Sequence, residues 1–227
     1  MAAQDVTNPI QRYRREVQQA LALVPEPEIA RVIAALLAAN RADRSIFILG
    51  NGGSAATASH FACDLAKGAI VPGQPRFRAL ALADNLALLT AWANDLGYDQ
   101  IFAQQLAGLL DAHDVVIAIS ASGNSPNVLN AVRLARARSA VTIGLTGFDG
   151  GALKPLVDLC LLVPAPCIEQ VEDVHLSLAH LICTCLRQAR QDPALALRFG
   201  PPRATDEPEP PAAPPHADFD APALRLR

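Results

Sequence analysis

The sequence predicts an α/β fold, an open five-stranded parallel sheet with helices on both faces, and three observations carry that expectation. From Ser45 onward short β-branched or apolar runs alternate with helical patterns. Strands separated by helices pair in parallel through right-handed crossovers. Ser45–Leu49 is an apolar run closed by Gly50, then a glycine-rich turn, then a stretch of good helix formers from Ala55 to Lys67. Finally, three small, polar loops follow strand candidates, after Leu49, Ile119 and Leu145. Open sheets of this kind bind ligands beyond the carboxyl ends of their strands, where strand order reverses.

The elements follow in order. From Pro9 to Asn40 two helical patterns are separated by Pro25 and Pro27, forming a helical hairpin. The second places Ile29, Val32, Ile33, Leu36 and Leu37 on one face at helical spacing. That face has to be buried, on the core or on another copy of the chain, and the expectation is the second. Strand candidates are Ser45–Leu49, Arg78–Ala83, Asp114–Ile119, Val141–Leu145 and Leu159–Val163. Helical patterns lie between them at Ala55–Lys67, Asn85–Asn94, Ile101–Leu110 and Pro126–Arg138, with a short turn near Leu153. A long helix from Glu169 to Arg190 closes the unit. The expected organisation is a helical hairpin over 1–42, the α/β unit over 43–195 and a Pro/Ala-rich disordered tail over 196–227, which includes an incidental His216.

Composition narrows the function classes. With 51% apolar residues but only 4% aromatic, the core is built from Ala, Leu, Val and Ile. A formal charge of −3 gives no electrostatic case for nucleic acid or an anionic membrane as partner. No apolar run reaches spanning length, and the N-terminal stretch lacks a signal-like apolar segment. Five cysteines, Cys63, Cys160, Cys167, Cys183 and Cys185, form no C-x-x-C pair and leave one over, which fits reduced thiols in a cytoplasmic protein.

Two loops carry the chemistry. Gly50-Asn51-Gly52-Gly53-Ser54 needs residues without Cβ for its turn, and it delivers the chain into a helix N-terminus, where backbone N–H groups attract an anion. Alone it reads equally as an ordinary βα turn. Ser120-Ala121-Ser122-Gly123-Asn124-Ser125-Pro126 sets three hydroxyls before a helix with proline in its first turn. A helix cap uses one serine. Three suit a phosphate monoester, whose oxygens take hydroxyl and backbone donors. Among ionisable groups, His60 and Asp64 are four apart and share a helix face, a spacing that holds divalent metals. Glu172, Asp173, His175 and His180 cluster on the last helix. Either histidine taken alone reads as a packed, hydrogen-bonded residue.

GNGGS at Gly50–Ser54, ISASGNS at Ile119–Ser125 and LTGFDGG at Leu145–Gly151 resemble the SIS (sugar isomerase) domain family, and GNGGS followed by His60 resembles its phosphoheptose isomerase branch. The resemblance spans about residues 8–192. It implies a flavodoxin-like sheet, a homotetramer with active sites between subunits, and aldose–ketose isomerisation of a sugar phosphate through a cis-enediol. It implies a Zn2+ site at His60, Asp64, Glu172 and His180, with acid/base work at Asp64 and His180. Ser120, Ser122 and Ser125 would hold the phosphate, and Asn51, Gly52, Gly53, Ser54, Asn94 and Asp95 the sugar chain. Asn94-Asp95 reads otherwise as a helix-end turn. Ala121 stands where the family often has Thr.

Asp64 stands where that branch has Glu, and Glu172 where it has Gln. Asp is shorter by about 1.5 Å, and misplacement on that scale costs a general base roughly 100-fold. A glutamate in place of Gln adds a charge that strengthens a zinc site and makes its bound water less acidic. A carboxylate held by zinc is also a poorer base. Glu172 and His180 lie about 12 Å apart along a regular helix and about 80° around it. Either that helix is irregular or separate copies supply the two groups, and an obligate oligomer fits the second. The other readings are an isomerase for a different phosphosugar and a non-catalytic sugar-phosphate-binding regulator. The regulatory branch of the family lacks the histidine at the position of His180, and no DNA-binding helix-turn-helix precedes the core here.

Overall fold

A computed structural model describes residues 8–199. Strands β1 (Ser45–Gly50), β2 (Arg78–Ala81), β3 (Val115–Ser120), β4 (Val141–Gly147) and β5 (Leu159–Val163) form one sheet in the order β2-β1-β3-β4-β5. Every neighbouring pair is parallel. β3 is buried at every position, as a central parallel strand covered on both faces must be. Side chains alternate between two cores: Ile46, Ile48, Ile117 and Ile119 face one, and Phe47, Leu49, Val116 and Ala118 the other.

Helices α1 (Pro9–Ala22), α2 (Glu26–Arg41), α3 (Gly53–Cys63) and α7 (Ile168–Gln191) pack on the first face. Helices α4 (Leu86–Leu96), α5 (Ile101–Leu109) and α6 (Pro126–Ala137) lie on the second, and α8 (Pro193–Ala196) follows α7. Pro27 sits in the first turn of α2, where a missing N–H costs nothing. The apolar face of α2 is not left for a second copy. Ile29, Val32, Ile33, Leu36 and Leu37 are at most 8% exposed, packed in one core with α7, β1 and β5. The spacing defined the face correctly, but the sheet needs a cover on that side and α2 supplies it. α1 is fastened to α7 by polar contacts, Tyr13 donating to Asp173 at 2.7 Å and Gln170 to Glu16 at 2.7 Å.

Boundaries shift by small amounts from the sequence expectations. β2 ends at Ala81, and β3 starts at Val115 because Asp114 turns its carboxylate to accept from the N–H groups of Ser45 and Asp111. The helix expected over Ala55–Lys67 is α-helical only to Cys63, then widens into a π turn over Asp64–Gly68, closed by Ala69 N–H donating to Asp64 O at 2.9 Å. Ala196 to Phe199, placed in the tail on composition, continue as a helical turn, and the tail beyond them with His216 lies outside the described residues. All five cysteines are free thiols. Among the described residues no helix is long and apolar enough to cross a membrane.

After β1 the chain builds β2 on one side, and β3 takes the other. The strand order reverses there, so a crevice opens beyond Gly50 and Ser120. On the far side of it α7 buries His175 completely, with Nε2 3.2 Å from the carbonyl of Thr146 and Nδ1 without a partner.

Two outcomes are expected of these packing features. Leu36→Ala, at a fully buried site, lowers unfolding free energy by about 3 kcal/mol in denaturant titration. Burial pushes the His175 pKa from 6.5 down to about 4, so between those values the unfolded chain binds the extra proton. The stability from keeping this imidazole neutral is complete above pH 6.5 and fades as pH falls toward 4, by about 3 kcal/mol in total. His175→Gln removes that component of the slope in urea titrations run across the same window.

Candidate active site

Two glycine and serine loops flank the crevice. The first turns at Gly52, whose φ of +54° favours glycine, and it enters α3 without a side-chain cap. Ser54 is buried beneath Gly50, where a Cβ would meet it at 2.8 Å. At Gly53 a Cβ would run into the Glu172 carboxylate, which lies against the loop there. The second loop enters α6 with Ser125 at the cap position and Pro126 next, again without a side-chain cap. Ser125 turns its Oγ toward Ser120 Oγ, 3.3 Å away, rather than onto the helix. Neither N-cap side chain therefore fills a helix N–H, and in α6, which opens on a proline, the Val128 N–H is taken instead by Asn127 Oδ1 at 3.0 Å. Ser122 is exposed and accepts from Asn124 N–H at 3.2 Å, and Ala121 is buried with its carbonyl accepting from Gly147 N–H at 2.9 Å. The third loop buttresses the second: Gly123, at φ +65°, leaves no room for a Cβ against the Gly150 carbonyl.

The loops are tied to each other. Asn51 Nδ2 donates to Asn127 Oδ1 at 2.9 Å, and Asn127 Nδ2 donates to Asn51 Oδ1 at 2.8 Å. Tyr98, in the turn after α4, adds its hydroxyl to Asn51 Oδ1 at 2.9 Å. Sequence reasoning missed Asn127 and Tyr98. Asn127 had a signal, a polar residue directly after Ser125-Pro126. Asn94 and Asp95 lie within the last turn of α4 rather than after it, exposed, with Asn94 donating to Asp95 at 3.0 Å.

The ionisable cluster forms where α3 packs on α7. His60 Nε2 and His180 Nε2 are 2.8 Å apart. Asp64 Oδ2 lies 3.6 Å from the first and 3.7 Å from the second. The shorter aspartate reaches both imidazoles at the point where the helix widens. That oxygen is buried and has no hydrogen-bond partner, although both histidines are exposed. Two lone pairs at 2.8 Å repel unless a proton or a cation lies between them, and a third acceptor beside them sharpens the need. All three donor atoms fit within 4.8 Å of one another. Ligand atoms around one tetrahedral zinc sit about 3.4 Å apart, so His60, Asp64 and His180 fit a divalent cation.

Glu172 is not in this group. α7 is regular, and eight residues separate Glu172 from His180, so its carboxylate reaches the first loop at Gly53 instead. Of the four expected ligands, one chain brings three together.

A family model described as "SIS domain" matches residues 12–147. The phosphoheptose isomerase of Geobacter metallireducens is 39% identical over 172 residues, 76% of this chain and 90% of that protein. Among solved structures, the phosphoheptose isomerase of Neisseria gonorrhoeae is 35% identical with a TM-score of 0.72, covering 79% of this chain and 95% of that one. The Francisella tularensis phosphoheptose isomerase is 32% identical with a TM-score of 0.74, over 79% and 96%. A crevice at the strand-order reversal, two uncapped helix starts facing it, and these likenesses along the whole α/β unit lead to one assignment: the chain belongs to the SIS domain family, in its phosphoheptose isomerase branch.

Proposed function

We propose that the chain isomerises D-sedoheptulose 7-phosphate to D-glycero-D-manno-heptose 7-phosphate through an enediol. The observation that carries this reading is the meeting of His60 Nε2, His180 Nε2 and Asp64 Oδ2 in a chain of this family. The reaction moves one proton from C1 to C2 of the ketose and a second from O1 to O2, so it needs a base and an acid that trade roles. Asp64 and His180 are assigned that work. They do it with their lone pairs free, since an atom bound to a cation cannot also take a proton; Asp64 Oδ2 and His180 Nε2 lie 3.7 Å apart, so both can face one substrate.

Ser120, Ser122 and Ser125, with the open N-terminus of α6, hold the phosphate in this reading. The uncapped state of Ser125 supports it. Asn51, Gly52, Gly53, Ser54, Asn94, Asp95, Ala121 and Glu172 line the path of the sugar chain. A bound cation would be zinc, and His60, Asp64 and His180 would hold it, with Glu172 as a further ligand only if another copy brings it near. When bound, zinc supplies Lewis acidity to the substrate carbonyl. The assembly is a homotetramer with sites between subunits. The apolar helix α4 has no buried residue, Leu86 is 71% and Leu80 47% exposed, and a covering copy accounts for all three. A cytoplasmic location belongs to the same reading, supported by the free thiols.

His180→Ala is expected to abolish turnover of sedoheptulose 7-phosphate while circular dichroism and phosphate-ester binding stay near wild type. Unchanged turnover removes His180 from the mechanism. Sugar-phosphate binding without turnover in the wild type, with and without zinc, moves the assignment to a regulatory sugar-phosphate binder. Asp64→Asn is expected to weaken zinc binding roughly 100-fold in calorimetric titration of chelator-treated protein. Equal affinity in that variant places the metal elsewhere.

A further inference from the structure

The Asn51 side chain has a determinable polarity, and Tyr98 and Asn127 set it. One main-chain group fixes the direction of the whole network. Val128 N–H can only donate, and it lies 3.0 Å from one side-chain atom of Asn127, which must therefore be the amide oxygen. The other group of Asn127 is then its NH2, and it faces Asn51 at 2.8 Å, where it requires an acceptor. Asn51 consequently turns Oδ1 toward Asn127 Nδ2, and its own Nδ2 toward Asn127 Oδ1 at 2.9 Å. Tyr98 Oη, 2.9 Å from Asn51 Oδ1, has no choice left but to donate.

The Asn51 amide has four hydrogen-bonding positions in all. Its oxygen accepts two hydrogen bonds, which fills both lone pairs. Its nitrogen donates one hydrogen to Asn127 and keeps one. Toward anything in the crevice, Asn51 offers a single N–H donor and no acceptor. We propose that Tyr98 and Asn127 are positioning residues that lock the Asn51 amide as a one-way donor, so that it recognises an acceptor oxygen of the sugar chain and not a sugar hydroxyl in its donating role. The proposal rests on the sugar-phosphate reading of the crevice and deepens it.

The two supports differ in kind. Asn127 is 1% exposed and fixed by α6 at its first turn. Tyr98 is 59% exposed and follows α4, the helix with no buried residue. The hydroxyl at Tyr98 is thus the part of the lock that can be removed without opening the core.

The test is a double-mutant cycle of Tyr98→Phe with Asn51→Ala, read as kcat and KM for sedoheptulose 7-phosphate, together with the 15N–1H signal of the Asn51 side-chain amide. Tyr98→Phe alone is expected to lower kcat/KM about fivefold, the worth of one hydrogen bond, and to shift the Asn51 amide signal, which is identified by its loss in Asn51→Ala. In the Asn51→Ala background the same change has less than about a 1.5-fold effect, because Tyr98 acts through Asn51. An equal fold-change in both backgrounds, or an unmoved amide signal in Tyr98→Phe, overturns the proposal. Absence of wild-type turnover on a panel of pentose, hexose and heptose phosphates overturns the isomerase reading instead, and the amide signal still decides the lock.

Discussion

Three acceptor atoms crowded together need something positive among them, and the rest of the site follows from that constraint. Two imidazole nitrogens 2.8 Å apart, with a buried unpartnered carboxylate oxygen beside them, are stable only around a proton or a cation. The arrangement requires α3 and α7 to pack closely. That packing is secured by apolar contacts below the cluster, where Phe61 and Leu65 meet Leu178, Ile182 and Leu186 in one core. The polar cluster therefore rides on a hydrophobic foundation.

The sheet supplies the second half of the design. Its order places β1 and β3 side by side while their following helices leave on opposite faces. Two helix N-termini are thereby aimed at one crevice, and neither is closed by its N-cap side chain, although Asn127 Oδ1 takes the Val128 N–H in the first turn of α6. The proposed phosphate site draws on main-chain dipoles and neutral hydroxyls, which suits a chain whose formal charge is −3. No cluster of surface cations is needed.

Much of this was legible in the sequence because it is local. Short apolar runs between helical patterns located every strand, with β5 matching at both ends, and glycine and serine chemistry located the loops. The pairing of His60 with Asp64 followed from a four-residue spacing. What escaped depends on distant partners. His60 meets His180 across 120 residues, and Asn51 meets Asn127 across 76; the former came only from family resemblance, and the latter had no spacing to betray it. The apolar face of α2 was plain, but the sequence does not say which surface covers it. The π turn at Asp64 was equally hidden, since nothing in DLAKG breaks an α-helix until Gly68.

α7 has a property that reaches past the site. Near its far end the buried guanidinium of Arg190 donates to the carbonyls of Ala69 and Pro75 and to the side chain of Gln74, and Gln74 returns a bond to the carbonyl of Arg190. Those carbonyls belong to the segment that leaves the π turn carrying Asp64. One rod thus bears an imidazole midway along and grips the strap behind the carboxylate at its base. The strap that follows Asp64 is therefore tied to the helix that carries His180 about 15 Å beyond that imidazole.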